Sequence, residues 1–237
     1  MGGFGFYYFD YTYFMYMIPA VIITMVAQIR VKSAFQKYSQ IRTVKNMTGA
    51  QAADAVSKFG GVFGVQVQPI SGSLTDNFDP RNNTISLSQD VYSSSTIAAV
   101  GVAAHEAGHA IQNAKGYFPN KIRAALVPVT NIGSRLAIPV VIVGLILPVK
   151  YDFVVTAGII LYSLAVLFQL VTLPVEFDAS RRAIKALDEA GILYPDELEG
   201  AKSVLNAAAM TYLAASFAAI LTLLRLLTIA NGRRGRD

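Results

Sequence analysis

Apolar and polar positions in this chain are segregated into long blocks rather than interleaved. Four apolar blocks approach the roughly 20 residues a helix needs to cross a bilayer: about 11–27, 126–149, 153–173 and 207–229. The first follows the aromatic run Phe4-Gly5-Phe6-Tyr7-Tyr8-Phe9, which has the composition of an interfacial belt. It has no basic leader and no small-residue cleavage site, so it reads as a retained anchor rather than a signal peptide. Only Lys150-Tyr151-Asp152 separates the second block from the third, which predicts a tight helical hairpin. A hairpin returns the chain to the side it left. The polar stretches before the second block and after the third are therefore expected on one membrane side.

Within the first polar stretch the periodicity shortens. Thr48-Gly49-Ala50-Gln51 has the form of a capping box opening a helix that ends near Gly60-Gly61. Val62 to Ile70 alternates apolar and polar residues and predicts a strand. Asp79-Pro80-Arg81-Asn82-Asn83 predicts a turn, and Thr84 to Ser88 a second strand. Ser93-Ser94-Ser95 offers caps for a helix that follows. The expected fold is mainly α: a multi-pass membrane protein of about four transmembrane helices with a small β-hairpin or sheet. It reads as a single membrane-integrated domain over 1–237, with its working regions at 30–125 and 174–206.

Composition agrees with the blocks. Of 237 residues, 54% are hydrophobic and 15% charged, against about one quarter charged in soluble domains. The net charge of +5 comes from basic residues beside apolar blocks, such as Arg30, Lys32 and Lys37, or Arg233, Arg234 and Arg236. That is the placement of membrane-flanking cations, and no nucleic-acid motif accompanies them. The basic residues after the first block assign the polar regions to the cytoplasmic side of the plasma membrane. Four full crossings would then leave the basic tail outside, against the same bias, unless the last block stops short. Charged residues collect outside the apolar blocks, which argues against a transporter.

The chemistry is concentrated in one run. The chain has two histidines and no cysteine, and both histidines lie in His105-Glu106-Ala107-Gly108-His109, flanked by helix formers. Residues four apart share a helix face, so both imidazoles can reach one metal ion. Glu106, about 100° around the helix, can work on a water without being a ligand. This His-Glu-x-x-His pattern is that of zinc proteases, and it predicts one Zn2+ per chain. Catalytic zinc usually keeps three protein ligands. Where a longer pattern would carry a glycine and a third histidine, this chain has Gln112 and Lys115. The third ligand must then be a carboxylate, and the hairpin brings Glu176 back to the side of the motif. Asp178 is the main rival, and Asp54, Asp76, Asp79 and Asp90 stay open although they have the setting of helix-surface, turn or cap residues.

His105-Glu106-Ala107-Gly108-His109, then Glu176-Phe177-Asp178-Ala179-Ser180-Arg181-Arg182-Ala183, with a hydrophobic hairpin between them, resembles the YugP-like neutral zinc metallopeptidases of bacterial membranes. The aromatic N-terminal anchor, Asn77-Phe78-Asp79-Pro80 and the run from Leu205 to Tyr212 extend the resemblance over most of the chain. More distantly the layout is similar to membrane gluzincins of the HtpX and CAAX-protease type, in which a later glutamate completes the zinc site. Those enzymes commonly have an aspartate four residues after that glutamate. Here the place holds Ser180, so Asp178 or Ser180 would have to orient a zinc histidine. Their later histidine, which assists the oxyanion, is absent.

The resemblance implies an enzyme that hydrolyses peptide bonds of membrane or membrane-proximal proteins, with Glu106 as general base. Tyr212 and Arg181 become the candidates for stabilising the oxyanion. The strand Thr84 to Ser88 stands where zinc proteases place a substrate-binding edge strand. The alternative is a zinc-stabilised membrane scaffold or chaperone-like protein without proteolysis.

Overall fold

The structure is a computed structural model that describes residues 11–234; the aromatic run Phe4 to Phe9 and the tail from Gly235 lie outside the described residues. Among the described residues are seven α-helices and one three-stranded sheet. The helices are α1 (Tyr11–Tyr38), α2 (Gly49–Phe59), α3 (Gln89–Tyr92), α4 (Ile97–Ala114), α5 (Phe118–Ile146), α6 (Phe153–Glu189) and α7 (Pro195–Arg234). The strands are β1 (Gln66–Ile70), β2 (Asn77–Asp79) and β3 (Thr84–Ser88).

Four of these helices, α1, α5, α6 and α7, are long and apolar enough to cross a membrane. Each extends beyond the apolar block that predicts it, although α5 does so only at its start, Phe118, and ends at Ile146, short of the expected end at 149. The most consequential extension is α6, which passes through Pro174 and runs on to Glu189. Proline removes one helical hydrogen bond, yet the helix continues across the boundary from apolar to polar sequence.

By compactness the chain divides into two units. One comprises Ile122–Leu173 with the flanking stretches up to Val26 and from Tyr212; the other comprises Ala27–Lys121 and Pro174–Thr211. In the first, the hairpin of α5 and α6 closes on small residues. A Cβ on Gly144 would lie 2.7 Å from the Val155 nitrogen, and one on Gly158 would lie 2.8 Å from the Val141 nitrogen. Small residues allow such backbone approach where the solvent is lipid. Arg233 of α7 donates to the carbonyls of Gly144 and Leu147 and faces Asp152. The end of the last helix therefore packs at the level of the hairpin turn.

The second unit has the larger core, in which Ile85, Leu87, Val56, Val100, Ala103, Leu187 and Ala201 are fully buried. Here α2 opens on the expected capping box, with Thr48 and Gln51 exchanging side-chain-to-backbone bonds. The helix of the His-Glu-x-x-His run begins later than the serine cluster suggested. Thr96, not Ser93–Ser95, caps it by accepting from the Ala99 amide, and the short α3 precedes the serines. Strand β1 starts at Gln66 rather than Val62, because Gly61 and Gly64 take φ of +80° and +73°, which extended backbone does not allow. Asn77–Asp79 forms a further strand, and its last residue, Asp79, opens the expected turn.

The sheet order also corrects an expectation. β3 is central, parallel to β1 and antiparallel to β2, and all five of its residues are buried. Where β2 ends, Asp76 takes over and accepts from the Ser88 amide and hydroxyl. β3 thus has no free edge for an added peptide strand, and the sheet's edges are β1 and β2.

Candidate metal centre

The candidate centre lies within the second unit, on α4 and the polar extension of α6. Both helices approach closely because of one residue inside the motif: a Cβ on Gly108 would stand 2.4 Å from the Ala179 carbonyl oxygen. With that spacing, Glu176 reaches the two histidines of α4. Its Oε2 lies 3.3 Å from His105 Nε2 and 3.6 Å from His109 Nε2. The imidazoles meet edge to face with ring centroids 4.7 Å apart. Ligand atoms of the three residues all fall within 4.8 Å of one another.

These distances test whether a metal fits. Zinc bonds of about 2.0–2.1 Å in tetrahedral arrangement set neighbouring ligand atoms about 3.3 Å apart. Two imidazoles and one carboxylate converge at that spacing, so the group could hold a zinc ion and leave a fourth position. Glu106 is buried beside them, at 8% exposure, and is not a member of the trio. Asp178, the rival third ligand, is not in the trio either. It takes ion pairs from Arg181 and Arg182 and a hydrogen bond from Gln112.

The charges follow from the burial and the partners. Burial alone would raise the carboxyl of Glu176, but hydrogen bonds from His105 and His109 outweigh it and hold the group well below the usual carboxylate range. Burial likewise opposes charge on His109, and the bond to Glu176 reverses the sign, so this imidazole is shifted up. Glu106 has no such donor. Its burial pushes the carboxyl up against the attraction of both histidines, with the charges of Glu176 and Asp76 adding to the upward shift.

Behind the histidines stand two different partners. His105 Nδ1 is 3.1 Å from the Ser180 hydroxyl, at the place where an aspartate was the familiar expectation. His109 Nδ1 is 3.0 Å from Gln112 Oε1. Gln112 is fully buried and had no assigned role in the sequence reading, where it marked only a failed three-histidine pattern. Its place one turn after His109 on the same helix face was the signal that could have found it. Of the two oxyanion candidates, Arg181 is mostly exposed and bound to Asp178. Tyr212 belongs to the apolar unit, half-buried on α7.

Residues 13–231 match the family described as "Putative neutral zinc metallopeptidase". The "Putative membrane protease YugP" of Bacillus subtilis (strain 168) is 41% identical over 217 residues, covering 91% of this chain and 96% of the relative. No solved structure matches.

Proposed function

The chain belongs to the family of neutral zinc metallopeptidases, and from that premise we propose that it is a membrane-embedded zinc endopeptidase. Its substrates on this reading are membrane proteins or peptides close to the bilayer surface, and its site faces the cytoplasm from a multi-pass protein of the plasma membrane. The observation that carries the proposal is the convergence of His105, His109 and Glu176 beside a buried Glu106 that ligates nothing in the trio. A closed structural zinc site has no use for that carboxyl.

His105 and His109 would hold zinc through Nε2 and Glu176 through its carboxylate. Zinc held there supplies a water of lowered pKa, near about 7, and polarises the scissile carbonyl. Glu106 takes the proton of the attacking water and delivers it to the leaving amine. Its upward-shifted carboxyl suits that double role, because a general base works best with a pKa near the working pH. Tyr212 and Arg181 stay the candidate donors for the developing oxyanion, with Arg181 paired to Asp178.

The test is Glu106→Gln in detergent-solubilised protein. It should keep one zinc per chain while cleavage of a casein or membrane-protein substrate falls about 10²–10⁴-fold, the usual contribution of a general base. Unchanged cleavage would remove Glu106 from the mechanism. Full zinc occupancy with no cleavage even in the wild type would favour a zinc-stabilised scaffold.

A further inference from the structure

We propose that Gln112 is the positioning residue of the centre: it fixes the ring and tautomer of His109, and Asp178 with its two arginines fixes Gln112. The inference rests on the reading of His105, His109 and Glu176 as metal ligands.

The orientation of the Gln112 amide follows from its surroundings. Its Nε2 donates to the Val175 carbonyl at 2.7 Å and to Asp178 Oδ2 at 2.9 Å. Both of these atoms are acceptors, so the amide nitrogen must face them. Turning the amide over would set its oxygen against two acceptor oxygens and lose both of those bonds. The opposite end, Oε1, therefore faces His109 Nδ1 as an acceptor. An acceptor there requires the proton to sit on Nδ1. Deprotonated for metal binding, His109 would then present its lone pair on Nε2, on the side where Glu176 Oε2 lies.

The arrangement has a second consequence for geometry. Val175 and Asp178 flank Glu176 on α6, while Gln112 stands one turn after His109 on the same face of α4. A single side chain thus sets the ring of one ligand histidine and the register of the helix that carries the carboxylate. Asp178 would be a costly neighbour alone, being buried. Arg181 and Arg182 neutralise it, and Arg182 also lies over the Tyr117 ring at 5.6 Å. The support for His105 is different in kind. The Ser180 hydroxyl can donate or accept, so it does not dictate a tautomer.

The experiment compares wild type with Gln112→Met, which keeps length and volume but removes the acceptor, and with Ser180→Ala. Zinc affinity is measured by competition with a chromophoric chelator. Because the chain has only two histidines, 15N-histidine labelling reports both imidazoles without overlap. Gln112→Met should weaken zinc binding about 10–100-fold, the range typical of a lost partner behind a ligand histidine. It should also perturb one imidazole, and Ser180→Ala should perturb the other. Zinc affinity within about twofold of wild type, or unmoved imidazole signals, would overturn the proposal. A merely structural role would lower the melting temperature of the metal-free protein and leave the tautomer in place. If Gln112→Met does not fold, the wild type decides: one imidazole must carry a slowly exchanging Nδ1 proton, and its absence overturns the assignment. His109→Ala and Glu176→Ala separate the two levels. Zinc retained in those variants rejects the ligand set and this inference together; zinc lost there but held normally by Gln112→Met rejects this inference alone.

Discussion

Glu176 is the residue on which the centre turns, because it converts a pair of histidines into a three-donor set. It is 2% exposed and is charged only because the histidines hold it so. Replacing it with alanine leaves two imidazoles and a small void. Zinc affinity should then fall at least about 100-fold, well beyond the loss expected for a group behind a ligand. A chelator-competition titration checks this, and near wild-type affinity in Glu176→Ala would mean that a different carboxylate completes the site. At this scale the sequence was informative where chemistry is tied to residue type. Histidines four apart, and the absence of cysteine and of further histidines, led to a carboxylate, and hairpin connectivity led to Glu176. The residues behind the ligands were harder to read. Gln112 is a common, uncharged residue whose meaning depends on Val175 and Asp178, more than sixty positions away. Asp178 was read as a rival ligand because its two arginine partners are visible only in the folded helix.

At the scale of elements, the spacing of α4 and α6 sets whether the donors meet. Gly108 is one of the two unspecified positions of the motif, yet the contact with the Ala179 carbonyl leaves no room for a methyl group there. Backbone cannot yield as a side-chain tip can, so Gly108→Ala must part the helices. Overpacking of this kind costs about 1–3 kcal/mol. Here the displacement falls on the helix carrying Glu176, so zinc binding should weaken by tenfold or more while the fold survives. Circular dichroism together with the zinc titration separates the two effects; unchanged affinity would mean that the helices slide apart without moving the carboxylate. The helices themselves were legible from apolar blocks and caps, though not their length, since polar extensions such as that of α6 carry no apolar signal. The sheet was less legible. Alternation located β3, but strand order depends on which neighbours pair, and the three residues of β2 are too few to show a period.

On the scale of the whole molecule, the proposed orientation in the membrane rests on chain connectivity and charge. Arg233 caps carbonyls at the end of α5, and the Tyr16 hydroxyl of α1 is paired with Thr228 of α7. The start of α1, the hairpin turn and the end of α7 therefore lie at one end of the apolar unit. On the proposed topology the stretches with Arg30, Lys32, Lys37, Lys115, Lys121 and Arg182 face the cytoplasm, and they hold far more of the chain's 20 basic residues than Lys150 and the tail do. The positive-inside bias counts the whole distribution and is outweighed locally at the tail, where Arg233 is spent on Asp152 and on helix carbonyls rather than left free. The native chain has no cysteine, so single substitutions report sidedness without background. Lys150→Cys should react with a membrane-impermeant maleimide added to intact cells. Lys115→Cys, beyond the end of the α4 motif helix, should react only after the membrane is opened. The reverse pattern would put the proposed centre outside the cytoplasm, and reaction of both from outside would mean that α5 does not cross.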